Sequence, residues 1–371
     1  MKPLEGLVVL EFSQFLAGPA AALRLADLGA RVIKIERPDT GDLCRQLYIS
    51  NLELDGDSTL FHSINRNKQS YSADLKKPAD IEEVKRLIAR ADVLIENFRP
   101  GVMQRLGLDY ETVRAINPRL VYGSITGYGT TGPWADKPGQ DLLVQARSGL
   151  VWLNGDADDP PSPFCLAVID LTTGAHLVQG LLACLVRRGV TGQGGLVEVS
   201  LLESALDLQF EVTTTHLNDG GLAPQRSAVR NAHAYLAAPY GIYVTADGHL
   251  ALAMGSVITL GQLLGLPALA AYPKPETWFS HRDEIKALIA AHVAAQPTQY
   301  WLERLEAGGY WCAEVLTWKQ LWATEAFRSL DFVQMVQREG APPMPTTRSP
   351  VTAASVVSFV IKPPISTLII P

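Results

Sequence analysis

The sequence is poor in the residues that hold small or metal-dependent folds together. Its four cysteines, Cys44, Cys165, Cys184 and Cys312, are widely spaced over 371 residues and form no CxxC pair. That argues against a disulfide scaffold or a zinc ribbon and fits a reducing, cytoplasmic setting. Seven histidines occur without HxxxH or HxH spacing, so no metal site is expected. No apolar run reaches the roughly 18 residues of a membrane span. The nearest, Leu171 to Val186, is broken by Thr, His, Gln and Gly. The opening MKPLEGLVVLEF lacks the core of a signal peptide. Basic residues are in deficit: 32 Lys and Arg against 38 Asp and Glu give a net charge of −6. A broad nucleic-acid surface would need the opposite balance, so any anion site must be a local cluster.

The composition, 47% hydrophobic and 19% charged, is that of a folded chain long enough for about two to three domains. Gly6–Phe12 and Arg31–Glu36 read as buried strands around a helix that opens near Gly18-Pro19. An amphipathic helix at Pro78–Arg90 is followed by strands at Asp92–Glu96 and Leu120–Ile125. A helix at Leu171–Arg188, a strand at Val197–Ser200 and a helix from Leu201 to about Leu217 continue the series. Such alternation implies a parallel α/β sheet. The texture changes at Asn218–Arg230, which reads as a linker. Pro239–Thr245 and His249–Met254 flank Ala-Asp-Gly as a hairpin. Helices near Arg282–Ala294 and Thr298–Ala307 complete a smaller α+β domain, and Gly340–Pro350 is an extended return. The expected division is therefore a large domain at 1–217, a linker at 218–231, a small domain at 232–315, and a return with the end of the large domain at 316–371.

Two familiar fingerprints are missing. Glu36 closes the second strand where a dinucleotide-binding carboxylate would stand, yet the first turn, SQFLAGPA, has no GxGxxG. Without those glycines the backbone does not approach a pyrophosphate. GxSxG is absent too, which removes the serine-hydrolase elbow.

What is present is a set of charged loops read as lying at strand exits: Lys34-Ile35-Glu36-Arg37-Pro38, Asn65-Arg66-Asn67-Lys68, Glu96-Asn97-Phe98-Arg99-Pro100-Gly101 with Arg105, and Thr126-Gly127-Tyr128-Gly129 leading to Asp141 and Gln145. Ligands of open parallel sheets bind outside the carboxyl ends of the strands. The cations suit a phosphate-bearing small molecule, or are solvated surface charge. Asp170 follows the strand-like run Cys165–Ile169 and begins a helix. It reads as an N-cap. It also reads as a nucleophile, kept ionised by the helix dipole and flanked by N–H groups for an oxyanion. The two readings are compatible.

The chain resembles the class III CoA-transferase (CaiB/BaiF) family. The stretches that carry the likeness include LAGPAAALRLADLGARVIKIERPDTGD, ADVLIENFRPGVMQRLGLDY, GSITGYGTTGPWADKPGQDLLVQARSGL and AVIDLTTGAHLVQGLLACLVRRG. The resemblance implies transfer of coenzyme A between carboxylic acids, with acyl-CoA as substrate and no tightly bound cofactor. Asp170 takes the position of the nucleophile, forming an acyl anhydride and then an aspartyl-CoA thioester. Arg37, Lys68, Asn97, Phe98, Arg105 and Lys137 fall at CoA contacts, and Leu16, Gln140 and Asp141 at the substrate pocket. The implied fold is a Rossmann-like large domain with a small one in a ring-shaped subunit, two of which interlock as a homodimer. Racemase relatives carry a histidine just before the position of Asp141. Here it is Gln140, which favours transfer over racemisation. A CoA-binding relative without turnover is the further alternative. Gln140, Arg147, Arg226 and Arg230 are candidates to meet a second carboxylate on the acid.

Overall fold

Runs of Val, Leu and Ile pair into one six-stranded, wholly parallel sheet. The structure, a computed structural model, describes residues 2–338, 341–351 and 360–361. The strands are β1 (Val8–Glu11), β2 (Arg31–Glu36), β3 (Lys68–Ser72), β4 (Val93–Glu96), β5 (Val121–Thr126) and β6 (Gly195–Ser200). Their order is β3-β2-β1-β4-β5-β6. Registers such as Glu11 beside Lys34, Val9 beside Val93 and Glu96 beside Ser124 fix it. The chain builds outward from β1 to β3, then returns to the other side of β1 with β4. The connections beyond β1 and β4 therefore run to opposite faces, opening a crevice at their carboxyl ends.

Helices fill the crossovers. Between β1 and β2 lies α1 (Ala17–Asp27), and between β2 and β3 lies α2 (Thr59–Asn65). Next come α3 (Pro78–Ile88), α4 (Val102–Arg105) and α5 (Tyr110–Ile116). Between β5 and β6 run α6 (Asp141–Arg147) and α7 (Val168–Thr191), and α8 (Leu201–Asp207) follows β6. One sheet face packs Leu10, Ile33, Leu94 and Tyr122 against Val84, Leu87 and Ile88 of α3 and Val113 of α5. The other face carries α1 and α7.

The crossing of α1 and α7 is close because of Gly174. A Cβ there would stand 2.8 Å from the Ala17 carbonyl oxygen and 3.4 Å from the Ala21 nitrogen. Asp170 is four residues earlier, so it shares that face of α7. α7 is also the one described helix long and apolar enough to cross a bilayer by length and composition. Here Ile169, Leu177 and Leu181 are buried, and Arg188 pairs with Asp92 at 3.0 Å.

The chain divides into two compact units, the first holding residues up to 144, 167–208 and those from 330 on, and the second holding 145–166 and 209–329. The second has an antiparallel sheet of β7 (Gly241–Val244), β8 (His249–Leu252) and β9 (Cys312–Glu314). With it go α9 (Phe210–Asn218), α10 (Val257–Leu264), α11 (Arg282–Val293) and α12 (Thr298–Ala307). Tyr243, Leu250, Leu260, Ile285, Ile289 and Trp301 form its core.

The expected boundaries need correction in three places. The helix expected over 201–217 is two helices, with the unit boundary at their junction. Segments 145–166 and 316–329 belong with the second unit. Residues 218–231 are no free linker. Arg226 donates to the carbonyls of Asn154, Ala157 and Asp159 at 2.5–2.9 Å, and Asp283 accepts from Ser227 Oγ at 2.6 Å and the Ala228 N–H at 3.0 Å. Those bonds also occupy the Arg226 guanidinium that was a candidate for a second carboxylate. The extended return contains the strand Ala341–Thr347, antiparallel to Val333–Arg338. Residues 352–359 and 362–371 of the expected large-domain end lie outside the described residues.

Gly174→Ala tests the α1–α7 contact. Forcing a methyl against the Ala17 carbonyl is expected to lower stability by about 1–3 kcal/mol in urea denaturation. An unchanged midpoint would contradict the close crossing.

Candidate active site

Asp170 is not the N-cap of its helix. α7 starts at Val168, Ala167 supplies no side-chain cap, and Asp170 is the third helical residue. The run expected as a strand before it is a bend that passes directly into helix. The cap comes from a distant segment: one oxygen of Asp141 accepts the N–H groups of Ile169 at 2.8 Å and Asp170 at 2.9 Å. Asp141 is brought there by two glycines packed back to back. A Cβ on Gly127, just past β5, would lie 2.6 Å from the Cα of Gly139. Only glycine allows that approach, and it sets Gln140 and Asp141 beside the end of β5.

The consequence is electrostatic. Burial, with the Asp141 carboxylate close by, pushes the Asp170 carboxyl up to about 7. The helix dipole was expected to hold it ionised at lower pH. That expectation fails first because the carboxyl is buried, and further because Asp141 has taken the N–H groups that express the dipole and has brought its own charge. For the same reason the Ile169 and Asp170 N–H groups do not serve as an oxyanion hole, and the Leu171 N–H is bonded to the Ala167 carbonyl.

The loop after β1 lies beside the start of α1. Leu16 is half-buried at the head of α1 and packs against Cys44, Phe61 and Ile64. Asn97, just past β4, exchanges two hydrogen bonds of 2.8 Å with the Gln14 backbone, one as acceptor and one as donor. It thereby ties the two loops that flank the crevice. Phe98 is half-buried against the core below. Arg37 after β2, Arg105 at the end of α4, and Lys137 and Gln140 in the loop before α6 are all exposed. The expected nucleophile, CoA contacts and acyl-pocket residues all lie in the first unit, whereas Arg147, Arg226 and Arg230, candidates for a second carboxylate, lie in the second. Leu16, Asn97, Asp141 and Asp170 are linked through α1, α7 and the loops just described, whereas the three exposed cations come from three other places: the turn after β2, the end of α4 and the loop before α6.

Lys68 is the exception. The segment Asn65–Lys68 leads into β3, so it enters the sheet at the opposite end from the crevice. Its ammonium reaches inward and contacts Glu11 at 2.8 Å, Asn65 at 2.8 Å and the Pro19 carbonyl at 2.9 Å. With all three donors committed in the interior, it cannot also contact a phosphate, and the expected CoA contact is withdrawn. Arg66 is likewise buried, on Asp27 at 2.6 Å.

Sequence reasoning missed the cluster that Lys68 joins. Lys34 pairs with Glu11 at 2.9 Å and with Asp42 at 2.8 Å, and donates to the Ser13 carbonyl at 2.7 Å. Burial opposes every charge here. The lysines still hold Glu11 below the usual carboxylate range, and Glu11 and Asp42 hold Lys34 above its own. Burial brings Lys68 down to about 8. The alternation of Lys34 and Glu36 with Val and Ile in RVIKIE was the available signal. Glu36, at the dinucleotide position, is held by Arg45 at 2.8 Å, Ser70 at 2.5 Å and the Asp42 N–H at 2.9 Å. It has no capacity left for a ribose, in agreement with the missing glycine fingerprint.

The sequence pattern of CoA-transferase family III matches residues 4–364. The chain is 39% identical over 300 residues to a succinate–glutarate CoA-transferase of Agrobacterium fabrum, covering 78% of this chain and 74% of that one. It is 36% identical over 318 residues to an acetyl-CoA:oxalate CoA-transferase of Acetobacter aceti, with 83% and 79% covered. A crystal structure of a CaiB/BaiF family protein from Brucella suis superposes with a TM-score of 0.79 at 32% identity, over 95% of this chain and 93% of that one. The large parallel α/β sheet is the fold that the comparison supports. The chain belongs to CoA-transferase family III, the CaiB/BaiF family.

Lys68→Met tests the reassignment. It leaves Glu11 buried with one lysine, and is expected to cost about 3–5 kcal/mol in urea denaturation. A variant of unchanged stability that has lost CoA affinity would restore Lys68 to the ligand site.

Proposed function

We propose that the protein moves coenzyme A from an acyl-CoA to a free carboxylic acid with Asp170 as nucleophile. The observation that carries the reading is a carboxylate whose proton affinity is raised by burial and by Asp141, set beside the crevice where such sheets bind ligands. A more basic carboxylate is a better nucleophile once ionised. Its oxygen attacks the acyl carbon of the donor, the carbon–sulfur bond breaks, and CoA leaves as thiolate. The product is a mixed anhydride. The thiolate then attacks the Asp170 carbonyl carbon, the donor acid leaves as carboxylate, and an aspartyl-CoA thioester remains. The acceptor carboxylate attacks that thioester and expels CoA thiolate. The thiolate attacks the acceptor's acyl carbon, releasing the new acyl-CoA and the Asp170 carboxylate. No water or metal takes part in the sequence.

Arg37, Arg105 and Lys137 are assigned to CoA phosphates, and the Asn97–Phe98 turn to the wall of the CoA site. Leu16, Gln140 and Asp141 border the acyl group. The named substrates of the two transferase relatives support a dicarboxylic acid as partner. The subunit works as an interlocked homodimer in this reading. Support comes from α7, whose C-terminal half leaves the apolar Val186 74% and Val190 88% exposed. The cysteines among the described residues are free thiols, in keeping with a cytoplasmic setting.

Asp170→Ala is expected to abolish exchange of CoA between labelled acyl-CoA and acids. Surviving exchange would remove Asp170 from the mechanism, and deuterium entering the α-carbon of a 2-methylacyl-CoA would point to racemisation instead. In the unmodified enzyme kcat/KM should fall below about pH 7, approaching tenfold per pH unit, because only the ionised carboxylate attacks. Asp141→Asn keeps an acceptor for the two N–H groups and removes the charge, so this limb should move to lower pH. Val190→Asp should weaken the dimer in sedimentation. An unaltered mass would exclude that face from the interface.

A further inference from the structure

Glu96 ends β4 at the edge of the crevice, and no step of the transfer uses it. It is buried, yet it joins three segments. One carboxyl oxygen accepts the Ser124 hydroxyl of β5, and the other accepts the Phe98 N–H at 2.8 Å. Between these anchors lies Asn97, whose amide holds both polar groups of the Gln14 backbone. A single carboxyl group thus links the end of β5 to the turn after β4, and through Asn97 to the loop after β1.

We propose that Glu96 is a positioning residue for the CoA site, fixing Asn97 and Phe98 through its two hydrogen bonds, and that CoA binding draws a proton onto it. The inference rests on the CoA reading above. The charges around Glu96 favour the neutral acid. Among the described residues no lysine, arginine or histidine forms an ion pair with it. Glu198 on β6 presents a like charge, as does Asp109 at the head of α5, farther off beside Tyr122 of β5. Arg99 and Arg105, on the turn and on α4, are exposed. The cluster of Glu11, Lys34, Asp42 and Lys68 belongs to the other sheet face, since Glu11 and Lys34 alternate with Leu10 and Ile33. Burial, aided by Glu198, pushes the Glu96 carboxyl up to about 7 despite its two hydrogen bonds. Near neutral pH its charge is therefore balanced between two states. The phosphates of CoA bring further negative charge to this edge, and by linkage the bound state favours the proton.

The test is CoA binding by calorimetry, run in buffers of different ionisation enthalpy, on the full chain and on Glu96→Gln. Glutamine keeps an acceptor for the Phe98 N–H, its NH2 donates to the Ser124 hydroxyl as the O–H of the neutral acid would, and it cannot ionise. The unmodified protein should take up a fraction of a proton near pH 7. Its Kd should weaken between about pH 6 and 8 by up to about tenfold more than that of the glutamine variant. Glu96→Ala, which strands the Phe98 N–H, should raise Kd about tenfold at every pH. Parallel Kd–pH curves and equal proton uptake in the unmodified protein and Glu96→Gln would overturn the proposal. Failure of the unmodified protein to bind CoA at any pH would instead defeat the CoA reading on which it rests.

Discussion

Two carboxylates and two ammonium groups meet in the interior, and the crevice is built on them. Glu11 comes from β1, Lys34 from β2, Lys68 from β3 and Asp42 from the loop after β2. Each lone charge would be costly there, and only the set is neutral. Such a cluster contributes more to uniqueness than to net stability. Its polar atoms accept one arrangement of the three strands, and that arrangement also anchors the loop after β1. Lys34 holds the Ser13 carbonyl, Lys68 holds the Pro19 carbonyl, and the Phe15 N–H points to Asp42 at 3.4 Å. Phe15 between them takes a left-handed φ of 63°, a strained conformation for a bulky residue, in a loop fixed on both sides.

The same logic of few charges in dry places governs the chemistry. Asp141 caps α7 from outside, so the helix that carries Asp170 begins where Asp141 allows. That carboxylate is the structural anchor, and its charge adds to burial in raising the proton affinity of its neighbour. A capping group of no charge would fix the helix equally well and leave a weaker nucleophile. On the other sheet face no cation among the described residues pairs with Glu96. The edge therefore carries two carboxyl groups that titrate near neutrality for the same reasons, burial first and a like charge second, Asp141 for Asp170 and Glu198 for Glu96.

Much of this was legible in the sequence. The strand Arg31–Glu36 and the helix Thr298–Ala307 stand where hydrophobic period and turn residues put them. Asp170 was singled out by its place between an apolar run and a helix. The errors share a cause. Lys68 and Arg66 looked like loop cations because composition does not show which charges have buried partners far away in sequence. The helix start was misplaced by three residues because its cap, Asp141, lies 29 residues upstream of Asp170. The segment 218–231 read as a linker because its structure depends on Arg226 and Asp283, bonds between distant segments that no local pattern reveals. Local periodicity was sufficient for the elements. Long-range polar pairing had to be seen.

The central claim is that the Asp170 carboxylate becomes covalently part of the transfer. A single turnover with an acceptor acid labelled with ¹⁸O in both carboxyl oxygens tests it most directly. In the sequence of bonds above, one labelled oxygen attacks the aspartyl thioester and stays behind when CoA thiolate takes the acyl group. The account predicts one ¹⁸O in the Asp170 carboxyl, found by mass spectrometry of the peptide that contains it. Transfer that proceeds while Asp170 remains unlabelled would contradict it.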